Sequence, residues 1–483
     1  MRGSGVKRTR SGSTIMDEST RHDPDDPLVA AITKVKATPA AGGGPVAGVA
    51  STTGPTDPTS IARPTPLSAF TGVGIELEYM IVDQQTLQAL PIADRLLARG
   101  SGTPRICTTD VVRGAYGWSN ELVLHVIEIK NLVPAPTLYG VAAEFAAQTG
   151  AIDALLATEG ARLLPGAMHP WMVPASETRL WPHENAALYR HFDRIFDCAR
   201  HGWANVQSMH VNLPFADDAQ FERLHAAIRL VLPIIPALAA SSPVAGGLDT
   251  GCADYRLAVY RSNAAVMPSI TADVVPETVK SRAEYEATVL APMYRAIAPF
   301  DPDGVLQHEW LNARGAIARF DRNAIEIRVT DIQECPQADI AIAGAIVAVV
   351  RALYDQRDAD LAQQHSIAGS DLVSIFGRCV ADAENAALEG SAAAHYLPLF
   401  GYPNRTCSAA ELWRHLLQRL PAEPGMDALA LGALEHILTY GSLATRLRRA
   451  LGTEFSRSRL TQVYRGLADC LRTGRLFGGG PTA

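Results

Sequence analysis

The chain carries carboxylates, one histidine and several arginines at spacings that would gather them on strand faces. In Gly74-Ile75-Glu76-Leu77-Glu78-Tyr79, the two glutamates are two residues apart. On a strand they project to the same side. Adjacent carboxylates repel, so they are stable together where water bathes the face or a cation sits between them. Taken alone, such a pair is most simply a solvated strand face. Within 120–130, Glu128 stands among apolar residues, which is costly unless it is paired or bound to metal. Glu121 is seven residues earlier, and a regular strand would put the two on opposite faces. Glu121 is therefore expected at a strand start or past a bulge.

In 207–215, Ser208, His210 and Asn212 share one face, while Met209, Val211 and Leu213 share the other. The second face reads as core. The first offers one metal-ligand candidate and two hydrogen-bonding groups, although a lone strand histidine is more often structural than a ligand. In 314–331, Glu326 and Arg328 face one way, and Ile325, Ile327 and Val329 the other. Arg314, Arg319, Arg322 and Arg328 fall within this one stretch, and guanidinium forks match phosphate oxygens. A surface of exchanged Glu–Arg pairs would look the same. Taken together, oxygen ligands, an imidazole and nearby arginines are what a hard-cation site holding nucleotide phosphates requires. Neither GxxxxGK[ST] nor a post-strand GxGxxG occurs, so metals and arginines would have to hold the phosphates.

Several elements must position these groups. Strands are expected at 71–83, 121–129, 206–213, 315–320 and 323–329, the last two paired around a turn at 321–323. Helices are expected at 138–156 and 218–240, and the chain reads as mainly helical from 337 onward. Strands interleaved with unequal helical stretches argue for α+β with a mainly antiparallel sheet. Residues 1–65 are rich in Pro, Ala, Gly, Ser and Thr and are expected to be disordered. A catalytic region would then run over 66–355. A helical C-terminal region over 356–483 would pack on the same domain.

The chain has 483 residues, 47% hydrophobic and 19% charged, with a net charge of −7, which is ordinary globular composition. No basic surplus points to nucleic acid. Seven cysteines stand singly with no CxxC, which favours a reducing, cytoplasmic setting over disulfides or zinc. The most apolar run, 340–350, is about half of the roughly 20 residues that a membrane span needs and reads as a buried helix. No apolar signal core follows the basic first residues, and no membrane association is expected.

These stretches resemble the glutamate–cysteine ligase superfamily, in its bacterial carboxylate–amine ligase branch. The matching segments are 74–83, 121–128, Gly166-Ala-Met-His169-Pro170 and Ser208-Met-His210-Val-Asn212. Further matches are Ser241-Ser242-Pro243 with Asp249-Thr250-Gly251 and Arg256, then Ala324-Ile-Glu326-Ile-Arg328 with Asp331. They run in family order from 72 to 331. The resemblance implies a glutamine-synthetase-like fold, with a curved antiparallel sheet, helices packed on its outer side and a helical C-terminal region. It implies ATP and Mg²⁺ or Mn²⁺. By matching position, Glu76, Glu78, Glu121, Glu128, His210 and Glu326 are implied as metal ligands. Glu326, Arg256 and Arg328 are implied as catalytic, and Arg314, Arg319, Arg322 and Arg328 as holding the nucleotide phosphates. Ser208, Asn212, Arg256 and His169 are implied to face substrate. Three features depart from the family pattern: Lys130-Asn131 after Ile129, the segment 180–200, and a C-terminal region longer than expected.

The resemblance also implies a two-step reaction. A carboxylate would attack the γ-phosphoryl of ATP, and an amine would displace phosphate from the resulting acyl phosphate. Small-molecule acid and amine substrates, with amino acids foremost, are the expected partners, and homo-oligomerisation is left open. Two other readings stand beside it. One is a phosphagen-type kinase of the same fold, which would make no amide. The other is a non-catalytic relative that binds an amino acid or nucleotide.

Overall fold

The computed structural model describes residues 66–103, 108–420 and 425–478. The disorder expected for 1–65 lies outside the described residues. The main sheet is built from β1 (Gly74–Asp83), β2 (Asp110–Arg113), β3 (Tyr116–Asn120), β4 (Val126–Asn131), β5 (Ala161–Leu164), β6 (Ser208–Pro214), β7 (Ala316–Arg319) and β8 (Ala324–Asp331). Its order is β2-β3-β4-β1-β6-β8-β7, and every pairing is antiparallel. β1 is the central strand. One edge pairs with β4, and the other pairs with β6 over residues 74–77 and with β5 over residues 80–83.

Period-two alternation sends Ile75, Leu77, Tyr79, Ile127, Ile129, Met209, Val211, Leu213, Ile325 and Ile327 to one face, where they join a single large core. That face is covered by helices, among them α1 (Val141–Ala157), α2 (Asp218–Val231) and α3 (Pro336–Tyr354). α3 packs against α1, α2 and the helix Ala428–Tyr440. It is apolar over most of its surface, which suits a largely buried helix. At 19 residues it is longer than its apolar centre predicted, and it is long and apolar enough to cross a membrane, yet 83% of that stretch is buried inside the protein. The α+β class, with an antiparallel sheet backed by helices, is as expected.

The opposite face of the sheet changes character along β1. Glu76 and Glu78 come first, and Met80 and Val82 follow on the same side. The latter two enter a second apolar cluster with Leu443 and Leu447 of the helix Leu443–Leu451 and Leu460, Tyr464 and Leu467 of α4 (Arg457–Thr473). The C-terminal helices thus cover one end of the carboxylate-bearing face. A fully buried Arg446–Glu334 ion pair ties the helix Leu443–Leu451 to the segment that follows β8.

Two element boundaries differ from expectation. The strand expected over 121–129 begins only at Val126, because residues 121–125 form the connection from β3. The helix expected over 218–240 stops at Val231, passes through a 3₁₀ turn (Leu232–Ile234) and resumes as Pro236–Ala239. Pro233 and Pro236 lack the N–H that a continuous helix would need.

Candidate active site

The register of four strands assembles the cluster. Across β1, Glu76 stands opposite His210 of β6 and Lys130 of β4, and Glu78 stands opposite Glu128. On the next strand Glu326 of β8 stands opposite Asn212. All of these side chains share one sheet face, because each lies an even number of residues from the next along its strand.

His210 is the centre. Its Nδ1 is 2.9 Å from Glu76 Oε2 and 3.6 Å from Glu326 Oε1. Its Nε2 is 2.9 Å from Ser208 Oγ and 3.7 Å from Glu78 Oε1. Ser208 donates its backbone N–H and its hydroxyl to Glu78 Oε2, at 2.7 and 2.9 Å. Asn212 Nδ2 donates to Glu76 Oε1 at 3.2 Å. Glu128 Oε1 accepts from Ser119 Oγ and Lys130 Nζ, both at 2.7 Å. Arg328 Nε lies 2.9 Å from Glu326 Oε1, and Arg319 Nη1 donates to Glu326 Oε2 at 3.3 Å.

The protonation pattern follows from these neighbours. Burial alone would depress the His210 imidazole, but its bond to Glu76 and the charges of Glu78 and Glu326 push it up to about 9. Burial would raise Glu128, but Lys130 and Ser119 hold it down at about 2. Glu326 is likewise held low despite burial, by Arg328, His210 and Arg319. Glu78 is pushed up by burial, with His210 opposing and Glu128 adding to the rise. Glu121 is pushed well up by burial and by the charges of Glu78 and Glu128.

Two overlapping groups offer ligand atoms within 4.8 Å of one another: Glu76, His210 and Glu326, and Glu78, Glu128 and His210. Carboxylate oxygens with a single imidazole form a donor set suited to hard divalent cations such as Mg²⁺ or Mn²⁺. Five of the six residues expected as ligands are therefore gathered. Glu121 belongs to neither group, although it feels the charges of Glu78 and Glu128.

The arginines divide. Arg319 and Arg328 reach the cluster through Glu326, and their side chains keep 12% and 27% of their surface open to solvent. Arg322 is more than half exposed beside Asp321. Arg314 is buried and forms a two-pronged pair with Glu277, at 2.6 Å on each prong, so the structure does not bring its guanidinium to the cluster. Arg256 is buried too. Its Nε donates to Asp331, and its Nη groups approach the Arg328 carbonyl at 3.4 Å. His169 is also away from the cluster, with its Nε2 2.7 Å from the Leu87 carbonyl and its ring packed edge-on against Trp171.

Asp331 explains why distant short motifs occur together. Its carboxylate accepts from Ser241 N and Ser242 Oγ, both at 2.8 Å, and from Arg256. Ser241 Oγ in turn accepts from Ala167 N at 3.0 Å. The segments 166–170, 241–243 and 256 are thereby locked to the end of β8. Lys130 and Ser119 were missed from sequence. Lys130 was legible, since it lies two residues beyond Glu128 on the same strand face. Ser119 was not, because only the β3–β4 register brings it opposite Glu128.

The profile of glutamate–cysteine ligase family 2 matches residues 72–465. That span takes in the C-terminal helices that had looked like an extension. An uncharacterized protein of Archaeoglobus fulgidus is 34% identical over 291 residues, covering 60% of this chain and 76% of that protein. A protein of Saccharopolyspora erythraea provisionally named glutamate–cysteine ligase 2-2 is 26% identical over 432 residues, covering 86% of this chain and 98% of that protein. Among solved structures, the glutamate–cysteine ligase of Francisella tularensis in complex with AMP superposes with a TM-score of 0.50 at 12% identity, covering 84% of this chain and 90% of the other, a likeness of fold. The chain belongs to glutamate–cysteine ligase family 2 and is a carboxylate–amine ligase, an enzyme that forms a C–N bond.

Proposed function

We propose that the chain joins a small carboxylic acid to an amine at the expense of ATP, through an acyl phosphate. The observation that supports this most is the pair of ligand groups sharing His210 on one sheet face, with Arg319 and Arg328 at their edge. Glu76 and Glu326 would hold one Mg²⁺ or Mn²⁺ and Glu78 and Glu128 another, with His210 serving one of the two through its single lone pair. Bound there, such ions neutralise phosphate charge and align in-line transfer. Lys130 and Ser119 keep Glu128 ionised and fixed in direction. Ser208 fixes the direction of Glu78, and Asn212 that of Glu76. Arg319 and Arg328 carry positive charge beside the cluster, where a transferring phosphoryl group would develop negative charge. No side-chain nucleophile is required, since the substrate carboxylate itself attacks the γ-phosphorus. The bond from the γ-phosphorus to the β–γ bridging oxygen breaks and ADP leaves. The amine then attacks the acyl carbon, expels phosphate and loses a proton.

The names of the relatives make glutamate and cysteine the first pair to try. The six described cysteines are free, which suits a reducing compartment such as the cytoplasm. The test is ADP and phosphate release with ATP and Mg²⁺ against a panel of acid and amine pairs, with product mass read in parallel. Phosphate release that needs both partners, with a product at their summed mass less water, is the expected result. ADP without phosphate would instead mark a phosphagen-type kinase. ATP binding with no ADP across the panel would favour a non-catalytic relative.

A further inference from the structure

On the helix-covered side of the sheet lies a pocket, open to solvent and of about 320 Å³, lined by Arg229, Asp273, Glu277, Gly369 and Ser370 among others. Arg229, on α2, is only 3% exposed, and no carboxylate lies within ion-pairing distance of it among the described residues. Its Nε donates to the Pro276 carbonyl at 2.9 Å, its Nη2 reaches the Ile367 carbonyl at 3.4 Å, and its Nη1 has no partner. The neighbouring Glu277 offsets its charge only through space and makes no hydrogen bond to it, since Glu277 pairs with Arg314 on both oxygens. A buried guanidinium with only neutral partners is costly and is stabilised by an anion.

The same guanidinium points at a helix start. Gly369 opens the 14-residue helix Gly369–Asp382, and a Cβ on it would stand 3.6 Å from Arg229 Nη2. The residue before it, Ala368, gives this helix no side-chain cap. Unsatisfied N–H groups at a helix N-terminus and an arginine fork both favour carboxylate or phosphate oxygens. The rim decides between these two. Asp273 is exposed, lines the pocket and has no cationic partner among the described residues. A free acid there repels a phosphate but complements an ammonium group carried by the same ligand.

We propose that this pocket binds a free α-amino acid, with its carboxylate between Arg229 and the N-terminus of the helix Gly369–Asp382 and its ammonium group toward Asp273. The site is separate from the carboxylate cluster and does not depend on the reaction assigned there.

The test is a ligand-observed NMR titration of the full chain with glycine, alanine, acetate and inorganic phosphate, in EDTA and without nucleotide. Glycine or alanine should bind in the millimolar range or tighter, and acetate roughly tenfold more weakly. Arg229→Gln should weaken the amino acids by at least about tenfold. Gly369→Leu should do the same by filling the pocket while leaving Arg229 in place, and thermal melts should show both variants folded. Asp273→Asn should bring the amino acids to the level of acetate and should not weaken acetate. Amino-acid binding that survives both Arg229→Gln and Gly369→Leu would overturn the proposal. So would phosphate binding more tightly than the amino acids, or no binding by the wild-type chain.

Discussion

Four buried histidines compare the charged cluster with the packed regions of this molecule. His210 on the carboxylate face is pushed up to about 9, because three glutamates surround it. His125 and His169 are held down at about 4 and His225 at about 3, by burial in packed regions that supply no nearby carboxylate. All four are almost fully buried. Desolvation therefore acts on every one, and the neighbours decide the sign. A core side chain is chosen for what it excludes, whereas a side chain of the cluster is chosen for the charge it faces. The arginines repeat the contrast. Arg446 on Glu334 and Arg256 on Asp331 are sealed pairs, while Arg319 and Arg328 keep part of their surface in solvent beside Glu326.

Substitutions in the cluster and in the packed regions should fail in different ways. Glu326→Gln should cost on the order of 10³-fold in kcat/KM, shift the Mg²⁺ requirement upward, and change the melting temperature less than the core variants do. Full turnover with unchanged metal dependence would erase the distinction. Glu334→Ala leaves Arg446 buried and unpaired and should cost about 3–5 kcal/mol of stability in denaturant unfolding, with activity per folded molecule preserved. Leu213→Ala, on the core face of β6 beside Asn212, should cost about 2–5 kcal/mol with the same preserved activity. Loss of turnover without loss of stability would show that the cluster and the packed regions are not separable.

The smallest effect concerns pH. An imidazole whose folded pKa lies below its ordinary 6.5 binds fewer protons in the native state than in the unfolded one. Its stabilising contribution is complete above the unfolded pKa and is lost as pH falls below about 6.5. Each of the three should contribute a slope of up to roughly 1.4 kcal/mol per pH unit between about 6 and 4.5. Unfolding titrations of His225→Phe should show a shallower slope in that window, and an unchanged slope would mean that His225 is not neutral in the folded chain.

Much of the architecture was legible because alternation was clean. The hairpin of β7 and β8 and the strand β6 follow directly from apolar residues at every second position. Glu76, Glu78, His210, Glu128 and Glu326 come together because strand pairing, which the sequence does not write, aligned faces that it does. What failed depended on longer-range choices. Arg314 looked like the other arginines of its stretch, and only the approach of Glu277 from elsewhere in the chain commits it to a structural pair. His169 sits in a motif of the resemblance, yet the segment that carries it is held through Ser241 and Asn205, and its ring is spent on Leu87. Glu121 could not be placed because a connection, not a strand, carries it.

The most direct test of the proposed chemistry uses the acid substrate labelled with ¹⁸O in both carboxylate oxygens, with the released phosphate analysed by mass. A reaction through an acyl phosphate predicts one ¹⁸O in each phosphate, because the oxygen that bonds to phosphorus leaves with it when the amine attacks. Phosphate free of label, alongside the amide product, would contradict the account.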